Sequence, residues 1–152
     1  MAKLKSRLDP EVSVGYQVRL CHRRIDRLLN AYLAEHGIGS GFWYYLRILW
    51  QQDGLTQKNL SDAVNVAENS TVVTVTAMGN RGLVHRVRDA FDRRKVRISL
   101  TKEGRALESK LIPYAHRINE IAVEGIDPAD VTICLSVLKR AANNIGKELD
   151  SL

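Results

Sequence analysis

Apolar positions along the first third of the chain recur with the period of a helix. Between residues 12 and 36 they are spaced by steps of three and four, which predicts one long amphipathic helix. The members of this stripe are Val14, Val18, Cys21, Ile25, Leu28, Leu29, Tyr32 and Leu33. Three glycines within residues 36–41 end the helix, and residues 42–54 carry a second helical pattern that closes at Gly54.

The middle of the chain has the pattern of a short helix, a tight turn and a longer helix. Thr56 is expected to cap the short helix over residues 56–64. Asn65 follows, a residue type that tolerates the left-handed conformation at helix ends. The longer helix begins between residues 67 and 70 and runs to about Arg81. This spacing predicts a helix-turn-helix. The residues expected to face inward are Leu60, Ala63, Thr71, Thr74, Val75 and Met78.

Two short extended runs follow, over residues 83–88 and 95–100. In the second run, Val96, Ile98 and Leu100 alternate with polar residues, so they share one face of a strand. The pattern predicts a two-stranded ribbon with one face packed on a core and a charged face and tip in water. A helix-turn-helix followed directly by such a ribbon is a winged helix.

The last third of the chain is helical again. Thr101 is expected to cap a helix that continues through Pro113, where the missing backbone donor predicts a kink rather than an end. Asp127 followed by Pro128 indicates the start of the last helix, whose apolar stripe includes Cys134. Together the patterns predict a mainly α fold with a small two-stranded β-wing.

Composition and charge indicate the kind of partner. The chain has 152 residues, the size of one domain, with a formal net charge of +6 and a pI near 9.5, which favours a polyanionic partner such as nucleic acid or an anionic membrane. No apolar run approaches the length of a membrane span, and no secretory signal is visible. Cys21 and Cys134 lie far apart and give neither a disulfide framework nor a zinc site. We therefore expect a cytoplasmic protein with no membrane partner.

Catalytic motifs are missing from the sequence. It contains no G-x-S-x-G, no phosphate-binding glycine loop and no H-E-x-x-H. Its four histidines lack the paired spacing of metal ligands. We expect no enzyme, no cofactor and no metal site.

Three segments resemble the MarR family of bacterial transcription regulators: DGLTQKNLSDAV (53–64), AMGNRGLVHR (77–86) and DRRKVRISLTKEGRAL (92–107). The pattern DRR-x5-LT-x2-G in the last segment is the most specific. The resemblance implies a single domain over residues 1–152. The winged-helix part would cover about 42–101, and dimerisation helices about 10–36 and 102–150.

The resemblance also implies a function. Family members are homodimers that bind pseudo-palindromic operators in double-stranded DNA and commonly act as repressors. They commonly release DNA on binding a small, often phenolic, molecule or on cysteine oxidation. A protein-interaction module without specific DNA binding and a cysteine-based redox sensor remain the alternatives.

Candidate DNA-binding residues follow by position. Asp92 and Arg94 match the paired aspartate and arginine of the family's wing, where the aspartate is structural and the arginine usually enters the minor groove. Val73 stands where the family often has arginine, so the neutral helix face predicts contacts with adenine edges and thymine methyls. The candidates are Asn69, Ser70, Val73, Thr76, Arg86, Arg88, Arg93, Arg94 and Lys95.

Candidate effector residues lie on the first two helices. The resemblance places Trp43, Tyr44 and Arg47 on the helix that lines the inducer pocket, with His22 as a further candidate. An aromatic wall with one cation would suit an aromatic acid, whereas the competing interpretation assigns the tryptophans to the core. Cys21 lies near the reactive cysteine of peroxide-sensing members, but its place on the apolar stripe predicts a buried and inert thiol.

Overall fold

The computed structural model of the chain describes residues 8–152. Residues 1–7, part of the N-terminal segment in which no secretory signal was expected, lie outside the described part. Backbone contacts divide the chain into two compact units, Met1–Ile118 and Asn119–Leu152. The single domain expected over residues 1–152 therefore stays a prediction, and each unit is described by itself.

The first unit opens with helices. They are a short 3-10 turn Pro10–Val12, α1 (Val14–Leu33) extended by a 3-10 turn Ala34–His36, α2 (Ser40–Gln51), α3 (Gln57–Val64) and α4 (Glu68–Asn80). Ser13 caps α1 by accepting a hydrogen bond from the Tyr16 backbone N–H at 3.3 Å. Gly37 then reverses the chain with a φ of 68°, a conformation that glycine adopts without strain. The predicted long first helix is confirmed, although its last turn is 3-10.

The helix-turn-helix has the caps that the sequence predicts. Thr56 Oγ1 accepts a hydrogen bond from the Asn59 N–H at 3.1 Å, and Asn65 ends α3 in the left-handed region with a φ of 57°. The prediction that Ala63 faces inward is wrong, because Ala63 is exposed and Ser61 is buried instead. The core covers the side of α3 that carries Leu60 and Ser61, whereas Ala63 lies on the side facing solvent.

The two predicted strands of the wing are present, and among residues 8–152 a third, short strand joins their sheet. Strands β1 (Leu55–Thr56), β2 (Val84–Arg88) and β3 (Val96–Leu100) pair antiparallel in the order β1-β3-β2. Leu55 pairs with Ile98 in the middle of β3. A two-residue strand is too short for apolar and polar positions to alternate visibly, which is why the sequence pattern missed β1. The predicted facing of β3 is confirmed, since Ile98 and Leu100 are buried and Arg97 is exposed.

The core of the first unit lies between the helices and this sheet. Its fully enclosed side chains are Leu33, Leu46, Leu49, Leu60, Thr71, Val75, Met78, Leu83, Ile98 and Leu111. Thr71 Oγ1 and the Tyr45 hydroxyl satisfy each other inside it at 3.0 Å. A Cβ on Gly104 would lie 2.1 Å from the Leu83 carbonyl oxygen, so this position accepts only glycine without a backbone shift.

The C-terminal helices differ from the prediction at one point. Helix α5 (Lys102–Ala106) is separated from α6 (Glu108–Val123) at Leu107, whereas the helix continues through Pro113 as predicted. Helix α7 (Pro128–Asp150) is capped by Asp127, which accepts from the Ala129 N–H at 2.8 Å. None of the described helices is long and apolar enough to cross a membrane.

The stripe of α7 and the N-terminal part of the stripe of α1 are open to solvent. Cys21 on α1 and Cys134 on α7 are both exposed, and no residue of α7 is buried. The expectation that these two thiols are buried is therefore wrong for the chain by itself. The reason is that, among residues 8–152, no surface of their own unit covers the N-terminal half of α1 or the stripe of α7. Their exposed large apolar members are Val14 and Val18 on α1, and Leu135, Leu138, Ile145 and Leu149 on α7.

Candidate nucleic-acid interface

The outer face of α4 carries the predicted base-reading residues. Thr71, Val75 and Met78 hold the inner face of the helix against the core. Because a helix repeats every 3.6 residues, the positions between them point away from it. The exposed set comprises Asn69, Ser70, Val73, Thr76, Ala77 and Asn80. Val73 is the most prominent apolar group of this face, with 70% of its surface exposed.

Arg86 reaches from strand β2 onto this helix face. Its Nη2 donates to Thr76 Oγ1 at 2.7 Å and to the Val72 carbonyl oxygen at 3.1 Å. The Thr76 hydroxyl in turn donates to the same carbonyl at 2.7 Å. The sequence grouped Arg86 with the wing and described the face of α4 as neutral. Their contact instead gives this face a cation and engages the Thr76 hydroxyl, whose contact with a base stays a prediction.

The turn at the tip of the wing is built around Asp89. Only 6% of this residue is exposed, and its Oδ1 accepts hydrogen bonds from the N–H groups of Phe91 at 2.8 Å and Asp92 at 2.9 Å. Arg97 Nε donates to Oδ2. The Asp92 N–H, the Arg97 side chain and the Phe91 N–H together lower the pKa of Asp89 to about 2. Asp89 was missed as a structural residue, although aspartate commonly closes turns onto backbone N–H groups two or three positions later.

The contact predicted between Asp92 and Arg94 is present. Arg94 Nε lies 3.2 Å from Asp92 Oδ1, Nη2 lies 3.4 Å from Oδ2, and the Arg94 N–H also donates to Oδ1 at 3.1 Å. The Arg94 guanidinium lowers the pKa of Asp92. The Arg94 side chain remains 91% exposed, so its position is set while its outer edge stays accessible. Its role in DNA contact stays a prediction.

The remaining wing cations divide into two groups. Arg88 Nη1 donates to the Arg93 carbonyl oxygen at 2.9 Å, and Arg97 Nη1 donates to the Gly54 carbonyl oxygen at 2.8 Å. These two side chains hold the hairpin together. Arg93 and Lys95 are exposed at its end. Of the predicted wing contacts, Arg93, Arg94 and Lys95 are thus the ones presented at the tip.

The predicted effector residues do not form one wall. Trp43 is buried and packs edge-on against Trp50, with ring centroids 5.7 Å apart. Trp43 therefore belongs to the core, and its assignment as a ligand contact is corrected. His22 and Tyr44 lie on the surface side, with ring centroids 6.5 Å apart, and Arg47 is exposed.

A carboxylate that the sequence did not single out completes this region. The Tyr44 hydroxyl donates to Asp26 Oδ1 at 3.2 Å, and Asn30 Nδ2 donates to Asp26 Oδ2 at 3.2 Å. Burial, then the Asp26 charge, raises the pKa of Tyr44, and Arg47 opposes this rise. A polar cluster between α1 and α2 thus combines an acceptor, a phenol and a cation. No motif spacing could have revealed Asp26, since its role depends on the approach of two helices.

Comparison with known proteins connects this geometry to a family. The model of the MarR family matches residues 42–96, which include the helix-turn-helix and the wing up to the start of β3. A MarR transcriptional regulator from Methanosarcina mazei Go1 has a crystal structure of the same fold. Its TM-score is 0.79 at 27% identity, and the match covers 87% of this chain and 97% of that one.

Two characterised relatives are also regulators. The chain is 26% identical over 132 residues to the HTH-type transcriptional repressor NicR of Pseudomonas putida, covering 87% of this chain and 84% of NicR. It is 28% identical over 92 residues to the HTH-type transcriptional regulator TtmR of Methylorubrum extorquens, covering 60% of this chain. In that match the chain spans about half the length of TtmR, at 47%.

Proposed function

We propose that the chain is a transcriptional regulator of the MarR family, a homodimeric repressor that binds a pseudo-palindromic operator. Proteins of this family are DNA-binding regulators rather than enzymes. The observation that carries the proposal is the joined surface of α4 and the wing, where Arg86 lies across the exposed helix face and Arg94 is held outward by Asp92. The similarity to the repressor NicR supports the direction of regulation. The proposal includes a cytoplasmic location.

The open apolar stripes of α1 and α7 support the proposal of a homodimer. Leu135, Leu138, Ile145 and Leu149 form one exposed apolar face on α7, and Val14 and Val18 are exposed on the first turns of α1. A face of this kind on a helix is covered in most proteins by another apolar surface. We propose that the partner protomer covers them, burying roughly 2,000 Å² or more in total, the range of permanent dimers. Sedimentation at micromolar concentration should find a dimer, and a stable folded monomer would contradict it.

Two variants separate the proposed roles of wing and helix. The operator is first selected from a random duplex pool, and its half-site centres should lie about 10 base pairs apart, one helical turn. Arg94→Ala should weaken specific and non-specific binding alike and flatten the log–log salt dependence by about 0.9 for each phosphate that the variant no longer neutralises. Val73→Ala should weaken only the selected operator, by about 1 kcal/mol, and leave the salt slope unchanged.

Lys110→Ala is the matched control, since it removes one exposed positive charge from α6, outside the α4 and wing surface. It should leave both affinity and salt slope at their wild-type values. If the wild-type protein binds no duplex in a salt-sensitive manner at low ionic strength, the regulator proposal fails. The interaction module without specific DNA binding then takes its place.

We also propose that a small phenolic effector releases the DNA. The support is the Asp26–Tyr44 cluster, where a phenol hydroxyl can replace that of Tyr44 as the donor to Asp26 while its ring packs near His22. Arg47 beside it suits a carboxylate on the same ring. Salicylate should raise the melting temperature and weaken operator binding, because a ligand stabilises the state that it binds.

Variants of the two charged residues test the effector site. Arg47→Ala should blunt the response to salicylate, and Asp26→Asn should blunt the response to plain phenols, whereas Lys110→Ala should leave both responses intact. A panel of phenols and phenolic acids without any thermal shift would contradict this part of the proposal and leave the DNA-binding part untouched. The exposure of Cys21 gives the redox alternative its own test. If peroxide releases DNA from the wild type but not from Cys21→Ser, oxidation is the release signal.

A further inference from the structure

The tip of the wing presents an aromatic side chain that no part of the fold uses. Phe91 is 100% exposed, and no other large apolar side chain among residues 8–152 is as open to solvent. The other phenylalanine, Phe42, is half-buried and packs against the core. A fully exposed phenyl ring contributes nothing to folding, so Phe91 is available to a partner.

The backbone beneath Phe91 is held in one conformation. Its own N–H and that of Asp92 both donate to Asp89 Oδ1, and Asp89 is anchored to β3 through Arg97. The loop is closed across its base by the Asp89 N–H donating to the Lys95 carbonyl oxygen at 3.0 Å. The ring is therefore presented on a fixed turn rather than on a loose loop, which lowers the entropy cost when it inserts into a partner.

The surroundings of Phe91 indicate what that partner is. Arg93, Arg94 and Lys95 follow within four positions, and each is exposed. The cations attract the phosphates of a nucleic acid. The apolar ring among them contributes binding free energy only where it leaves water, as between the two phosphate backbones of a groove. The minor groove of duplex DNA offers both, with phosphates along its edges and sugar walls and base edges inside. Apolar wedges that enter it partly unstack a base step and bend the duplex.

We infer that Phe91 is the apolar wedge of the wing, which enters the minor groove next to Arg94 and opens a base step in the flank of each half-site. This inference deepens the proposed function and rests on it. It assigns the two tip residues different work. Arg94 supplies charge along the groove, and Phe91 favours flanking sequences that unstack easily, such as TA and CA steps.

The test uses the full-length protein and a duplex selected by the wild type from a random pool. Flanking adenines are replaced one at a time by 2-aminopurine, whose fluorescence rises when its base unstacks. The wild type should raise the fluorescence at one flanking step per half-site, and Phe91→Ala should abolish that rise. Phe91→Ala should also lower operator affinity about tenfold, since the variant no longer buries a phenyl ring.

Four variants separate a wedge from a general wing contact. Phe91→Ala should keep the wild-type salt slope because no phosphate contact is removed, whereas Arg94→Ala should flatten it by about 0.9 for each phosphate that it no longer neutralises. Phe91→Leu keeps an apolar wedge and should retain most of the affinity. Val87→Ala removes apolar surface from the exposed face of β2 opposite Arg97, away from the tip, and should leave the fluorescence rise intact.

The outcomes divide cleanly. Wild-type affinity and an unchanged fluorescence rise in Phe91→Ala would overturn the wedge while leaving the DNA-binding regulator standing. A flattened salt slope in Phe91→Ala would also overturn it, because the effect would then act through the neighbouring cations. If the wild type itself binds no duplex, the proposed function fails and the wedge fails with it. Because Phe91 is 100% exposed, both Phe91 variants should be folded.

Discussion

Strand β3 and helix α7 both carry a regular apolar stripe, but only the stripe of β3 is covered. Ile98 is 0% exposed and pairs with β1 on one side and β2 on the other. Ile145, on the stripe of α7, is 63% exposed. Their periodicity is equally clear in the sequence. Amphipathicity therefore indicates which face will be buried, but not whether the same chain supplies the cover.

The largest expected effect is the removal of a side chain from the covered stripe. Ile98→Ala should lower the free energy of unfolding by about 2–5 kcal/mol, because it removes buried methyl groups and leaves a cavity that the sheet cannot close. Urea unfolding at constant protein concentration measures the change. Val87→Ala on the exposed face of β2 is the control and should change stability by no more than about 0.5 kcal/mol. Equal effects of the two variants would contradict the difference in burial.

A charge placed on the open stripe of α7 should weaken dimerisation and leave the folding of each protomer intact. Ile145→Lys places a charge in the proposed interface of both protomers, and we expect dimerisation to weaken by roughly 3 kcal/mol, since the charges lose water without a partner. Sedimentation should then show monomers at micromolar concentration, with helical circular dichroism retained. Asn143→Lys, a nearby exposed polar position, is the control. A dimer that survives Ile145→Lys would mean that this stripe is not the interface.

A smaller effect is expected on the reaction rate of Cys21, the exposed thiol of α1. This rate reports directly whether a second protomer covers the helix. In a Cys134→Ser background, only Cys21 can react with a thiol reagent. If a second protomer covers the apolar face of α1, Cys21 should react about tenfold more slowly in the dimer than in the dissociated Ile145→Lys variant, because reaction requires dissociation. Identical rates would show that this face of α1 remains open in the dimer.

The smallest effect concerns the tip of the wing, which is held by its own hydrogen bonds. Because the folded pKa of Asp89 is lowered to about 2, its carboxylate contributes stability that is complete above the unfolded value near 3.9. That contribution should be lost as the pH falls from about 4 towards 2. The difference in unfolding midpoint between the wild type and Asp89→Asn should therefore be constant from pH 7 to 5 and shrink below pH 4. A difference that is independent of pH would contradict the role of the carboxylate charge.

Much of the fold could be predicted from local residue chemistry. Thr56 and Asn65 bound α3 because a hydroxyl satisfies a free N–H and asparagine tolerates a left-handed turn, both of which are properties of single residues. Asp127 before Pro128 starts α7 for the same kind of reason. The contact between Asp92 and Arg94 also followed from a short motif, since the two residues lie only two positions apart.

The interface could be predicted only in part, because its organisation depends on contacts between distant segments. Arg86 was assigned to the wing, yet ten positions separate it from Thr76, the residue that it contacts on α4. Trp43 was placed in a ligand wall, although the packing of α2 against the core decided its burial. The burial of Asp89 depends on the turn that closes around its carboxylate.

By itself the sequence determined the helix-turn-helix, the paired strands of the wing and the direction in which β3 faces, since each depends on interactions within a few residues. Only the tertiary structure decided that β1 joins the sheet through Leu55, that Asp26 receives the Tyr44 hydroxyl, and that Arg86 crosses onto α4. These contacts join segments far apart in the chain. Their geometry depends on how the core packs, and the periodicity of a local segment does not specify which distant segment will pack against it.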